Sequence, residues 1–160
     1  MLPRHRSLTS LVALLALSAT TAAAQKANDR SIGTWTFNAG KSKYTAPSVA
    51  PKSGTRMYEV VGGKLHSTGQ TVKPDGTVDK YEFTAAYDGK DAPYKGPAGD
   101  KISITQINDH AVEATLKKAG KVVQTTRREV SADGKTMTMT TKLTGADNKT
   151  TTNVAVYDKK

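Results

Sequence analysis

The sequence contains no cysteine. Disulfides, thiolate nucleophiles, cysteine metal sites and a lipid-modified N-terminal cysteine are therefore excluded, and the fold must hold by packing and hydrogen bonds alone. Histidine is nearly as scarce. His5 lies at the basic start, and His66 and His110 have no further histidine or cysteine at ligand spacing. A metal site gathers three or four ligands, so no metal and no cofactor is expected. Acids are outnumbered, 14 against 24 Lys and Arg. The aspartates Asp75, Asp88, Asp109, Asp133 and Asp147 stand beside turns, where their side chains bond nearby backbone. No acid/base pair, nucleophile elbow or phosphate loop emerges, and catalysis is not expected.

Long hydrophobic runs are missing too, with one exception. Arg4-His5-Arg6 is followed by a mostly apolar stretch, Leu8 to Ala19, and then by Ala22-Ala23-Ala24. This is the three-part pattern of a secretory signal with cleavage after Ala24. The competing reading is a membrane anchor, but a spanning helix needs about 20 apolar residues, and Ser18, Thr20 and Thr21 break the run. The expected product starts at Gln25 and has no other segment apolar enough to span a membrane. Its expected destination is the periplasm or extracellular medium of a bacterium. Arg4 and Arg6 leave with the signal while all 14 acids stay, so the mature net charge is about +8. That charge suits an anionic envelope polymer or membrane, or simply keeps a β-protein soluble. No block of five like charges marks a specific nucleic-acid site.

What remains is alternation. After a polar lead-in, residues 25–31, expected to be flexible, apolar and polar residues alternate with period two between turn residues. Tyr81, Phe83, Ala85 and Tyr87 share one face; His110, Val112, Ala114 and Leu116 share another; Met137, Met139, Thr141 and Leu143 a third. Turns fall at Gly62-Gly63, Pro74-Asp75-Gly76, Asn108-Asp109, Ala119-Gly120 and Ala132-Asp133-Gly134. About nine strands follow, with residues 91–95 as a short extra one. Residues 39–54, carrying Pro47 and Pro51, read as an extended crossover with room for one short turn. Nine hairpin-linked strands leave two open edges unless they close. The expected fold is an all-β antiparallel meander closing into a barrel of eight to ten strands, spanning 32–160. A two-sheet sandwich would need more long connections.

The opening strand carries Gly33-Thr34-Trp35, and the chain continues with Lys41-Ser42-Lys43-Tyr44, Tyr87-Asp88-Gly89-Lys90 and a closing Val154-Ala155-Val156-Tyr157. This pattern resembles the lipocalin and fatty-acid-binding protein (calycin) superfamily, and more narrowly the exported lipocalin-like proteins of bacteria. The resemblance implies a barrel with Trp35 plugging its closed end. It also implies a small hydrophobic or acidic ligand within. Two departures stand out. The 39–54 stretch is too short and proline-broken for a two-helix lid. Tyr157 matches the tyrosine of the fatty-acid-binding Arg-x-Tyr pair, but Ala155 occupies the arginine's place.

In Arg127-Arg128, Arg128 shares a face with Val122, Thr126 and Val130 and is expected to point inward. It has three readings: an anion clamp, a structural cap stacked on Trp35 as in lipocalins, or a side chain reaching the rim. His110 reads first as a core or barrel-mouth residue. The candidate ligand-binding residues are Trp35, Phe37, Tyr81, Phe83, Tyr87, His110, Arg128 and Tyr157. The expected role is a monomeric exported binding protein. The alternative is an envelope interaction protein without a ligand cavity.

Overall fold

A computed structural model describes residues 28–145 and 147–160; the expected signal peptide and residues 25–27 of the expected lead-in lie outside them. Ten strands are present among the described residues: β1 Gly33–Phe37, β2 Ser53–Val61, β3 Lys64–Val72, β4 Val78–Ala85, β5 Ala92–Lys95, β6 Lys101–Gln106, β7 Ala111–Lys118, β8 Lys121–Val130, β9 Thr136–Thr144 and β10 Thr150–Lys159. Every neighbouring pair is antiparallel, and β1 pairs with both β2 and β10, so the meander closes into a barrel. Closure removes the free edges that nine or ten hairpin-linked strands would otherwise expose.

The strands form where alternation is cleanest. On β9, Met137 and Met139 are buried while Thr136, Thr138 and Lys142 face outward. The β2–β3 hairpin turns on Gly62 and Gly63, whose φ values of 57° and 76° suit a tight two-residue connection. The short extra strand is β5. It is held by only two residue pairs on each side, Glu82–Lys95 and Phe83–Tyr94 with β4, Ala92–Ile102 and Pro93–Lys101 with β6. The crossover between β1 and β2 holds two short 3-10 turns, Ala39–Lys41 and Pro47–Val49, rather than one.

Hairpins alternate between two ends. One end gathers the turns at 62–63, 86–91, 107–110 and 131–135. The other gathers 73–77, 96–100, 119–120 and 147–149 together with the crossover. The first end is closed from within. Trp35 is fully buried there, and its Nε1 donates to the Ser31 carbonyl at 2.6 Å.

The segment doing this corrects the reading of residues 28–31 as a flexible lead-in. Asp29 and Ser31 are buried. Asp29 Oδ1 accepts from the Ser31 amide and hydroxyl at 2.8 and 2.6 Å; Oδ2 accepts from the Tyr87 hydroxyl at 2.8 Å and Arg128 Nη2 at 2.7 Å. Arg30 fastens the outside, donating to Asp109 Oδ2 and the Ala132 carbonyl. A short polar stretch looks unstructured in sequence because its partners lie far along the chain, Arg128 being 99 residues away.

Candidate functional site

The inward faces of β2, β3, β4 and β10 place one cation among phenols. On β2 the inward residues are Gly54, Arg56 and Tyr58, since Met57 and Glu59 face solvent. Arg56 Nε donates to the Tyr157 hydroxyl at 2.9 Å, and Nη1 donates to the Tyr81 hydroxyl at 3.0 Å. Its guanidinium also lies 5.1 Å from the Tyr81 ring centroid and 5.3 Å from that of Tyr157. Tyr81 reaches Arg56 across β3, because Arg56 pairs with Gly69 and Gly69 pairs with Tyr81. A side chain at position 69 would occupy the space the Tyr81 ring uses. Ser67 Oγ stands 3.2 Å from the Tyr81 hydroxyl.

Burial works against the charge on Arg56, but the phenols of Tyr157, Tyr81 and Tyr58 outweigh it and hold the pKa well above its ordinary value. The group stays cationic. Among the described residues no carboxylate lies within 4 Å of it. The same two arginines, Arg56 and Arg128, overcome the burial that would raise the Tyr58 hydroxyl and pull its pKa down. Among the described residues the barrel interior sets two guanidinium groups, Arg56 and Arg128, against one buried carboxylate, Asp29, and so carries a net positive charge.

Arg56 stands where two chambers meet. One, of about 300 Å³, is walled by Tyr58, Phe83, Tyr94, Ile102, Ile104 and Leu116. The other, of about 410 Å³, runs along β9 and β10 past Tyr44, Leu143, Asn153, Ala155 and Tyr157. Both reach Val49 and Pro51 of the crossover, at the end opposite Trp35. Tyr81, Phe83 and Tyr94 form a stack along the first chamber, with centroids 6.0 to 6.2 Å apart. Apolar walls around a few convergent polar groups are the usual makeup of a small-molecule site.

Of the eight residues singled out in the sequence, Tyr81, Phe83, Arg128 and Tyr157 line these chambers. The other four do not. Trp35 plugs the closed end. Phe37 packs edge-on against Tyr44 and Tyr157. Tyr87 is tied to Asp29. His110 is half-buried at the closed end, its Nδ1 3.1 Å from the Val130 carbonyl.

Arg128 does point inward and Arg127 outward, the latter pairing with Glu129. Arg128 is ion-paired within the fold, and its partners are not the Trp35 ring that a cap would stack on. Its charge is taken by Asp29 and its guanidinium lies 4.2 Å from the Tyr58 ring centroid. The cation over Trp35 is Lys159, at 5.2 Å.

The residue that sequence reasoning missed is Arg56. Ala155 sits where a last-strand arginine would stand, and Arg56 reaches Tyr157 from β2 instead. Its signal was its phase: Arg56 alternates with Tyr58. Exposed apolar residues on the opposite face, Met57 and Val61, blur that phase.

The sequence matches no known family model and no curated protein. Among solved structures the chain is similar to zebrafish ileal bile acid-binding protein complexed with cholic acid. That match has 13% identity over 82% of this chain and 100% of that one, with a TM-score of 0.52. It is also similar to Rv2717c from M. tuberculosis, at 17% identity over 87% of this chain and 98% of that one, with a TM-score of 0.54. At these identities the likeness shows the fold alone, a closed antiparallel β-barrel of the kind the bile acid-binding protein has.

Proposed function

We propose that the protein binds a small apolar acid, with the anionic group against Arg56 and the hydroxyls of Tyr157 and Tyr81. The observation that carries this reading is the interior cation without a carboxylate partner. An unpaired charge in an apolar interior costs several kcal/mol. A bound carboxylate would supply the missing counter-charge through the guanidinium edge that the two tyrosines leave unused. Tyr157 accepts from Arg56, so its own hydroxyl hydrogen is free to donate to the ligand. The apolar body of the acid lies along the chamber walls. The fold relative solved with cholic acid supports the same class of ligand. The role is binding rather than catalysis.

The test is calorimetric titration with dodecanoic acid and with dodecanol. The wild-type protein should favour the acid, and Arg56→Leu should lose that preference while still taking up the alcohol. Equal acid affinity in Arg56→Leu would refute the clamp.

The proposal extends to export. The Arg4–Ala24 pattern supports removal of the first 24 residues, and the mass of the protein recovered from a bacterial envelope should correspond to a chain starting at Gln25. A protein retaining Met1 to Ala24 would count against export.

A further inference from the structure

We propose that Asn153 is a second anchor in this cavity, a hydrogen-bond donor for a neutral oxygen on the ligand, so that the ligand is an oxygenated acid. The inference rests on the carrier reading.

Asn153 is 7% exposed and points inward from β10, in phase with Ala155 and Tyr157. Its Oδ1 accepts from the Thr45 backbone amide at 2.9 Å and stands 3.2 Å from the Thr45 hydroxyl. A backbone N–H can only donate, so this contact fixes which end of the amide is oxygen. The Nδ2 group therefore points the other way. Among the described residues Nδ2 has no hydrogen-bond partner, and it is not sealed in, because Asn153 lines the chamber beside β9 and β10. Buried donors are almost always satisfied. One held at an open cavity wall, with its orientation pinned by the backbone, is built for an acceptor that arrives with the ligand.

Geometry bounds that acceptor. Asn153 stands four residues from Tyr157, about 13 Å along an extended strand, and nearer the open end. The ligand therefore carries its anionic group at Arg56 and Tyr157 and a carbonyl, ester or hydroxyl oxygen roughly ten ångströms away, toward the mouth. A plain hydrocarbon acid leaves Nδ2 unpaired. A site with a buried donor rejects a ligand that lacks the acceptor.

The probes are dodecanoic acid and monomethyl dodecanedioate, whose ester can only accept. Both are titrated calorimetrically into the full mature protein. The wild-type protein should bind the ester acid at least tenfold more tightly. Asn153→Asp keeps an oxygen for Thr45 but removes the donor, and should bring the ratio of the two affinities near one while its melting curve stays cooperative. Equal wild-type affinities would overturn this inference and leave the Arg56 clamp standing, and that comparison needs no variant. Failure of both acids to bind would overturn the carrier reading and this inference with it.

Discussion

Replacing Gly69 with alanine tests how the cavity cation is held. Gly69 lies between Arg56 and Tyr81 on the inner face of the sheet. Its φ is outside the left-handed region, so alanine adds no backbone strain and the effect is purely one of space. The new Cβ would sit 2.8 Å from both the Thr55 carbonyl oxygen and Tyr81 Cζ, closer than such atoms approach. The Thr55 oxygen belongs to the sheet and yields little, so the Tyr81 ring must swing away. Overpacking of this kind costs about 1–3 kcal/mol. The displaced hydroxyl also gives up its bond from Arg56 Nη1, and a hydrogen bond to a charged group is worth about 1.5–3 kcal/mol. Urea unfolding should show a loss of about 4 kcal/mol, and dodecanoic acid should bind about tenfold more weakly. In a Tyr81→Leu background the same alanine should cost less than half as much, because the ring is no longer there to be displaced. Additive costs in the two backgrounds, or a Gly69→Ala protein with unchanged stability and affinity, would refute the reasoning.

Two further outcomes follow from the buried charges and phenols. Asp29→Asn leaves Arg128 as an unpaired buried cation and should destabilise by roughly 3–5 kcal/mol, measured by urea unfolding. Removing both charges with Asp29→Asn and Arg128→Met should recover much of that loss, and a double variant as unstable as the sum of the singles would contradict the pairing. Burial, reinforced by Tyr157, pushes the Tyr44 hydroxyl up to about 12 against the opposing pull of Arg56. A raised folded pKa means that the stabilisation is fully present below the unfolded value of 10 and fades as pH rises toward 12. Spectrophotometric titration should show this tyrosine ionising late, and later still in Arg56→Leu. Ionisation near 10 would speak against its burial.

The barrel was legible in the sequence because period-two alternation and turn residues recur over nearly the whole chain after residue 31. The inward aim of Arg128 followed from the same phase argument. The partners of that arginine were not legible. Asp29 sits in a polar stretch with no alternation, and nothing local shows that it closes the barrel on a residue 99 positions later. Trp35, Phe37 and Tyr87 look like cavity lining in one dimension because plug, core and wall share the same inward phase. Only the shear of the closed sheet sets their depth. Arg56 escaped notice because its charge suggests a solvent-facing position, whereas its place beside Gly69 gives it phenolic company inside the barrel.

The most direct measurement is a crystal structure of the protein with dodecanoic acid. The carboxylate is predicted to lie within hydrogen-bonding distance of Arg56 Nη atoms and the Tyr157 hydroxyl, with the chain along the apolar walls. A chain bound elsewhere, or a carboxylate pointing out toward the mouth while Arg56 keeps only its two tyrosines, would contradict the central claim.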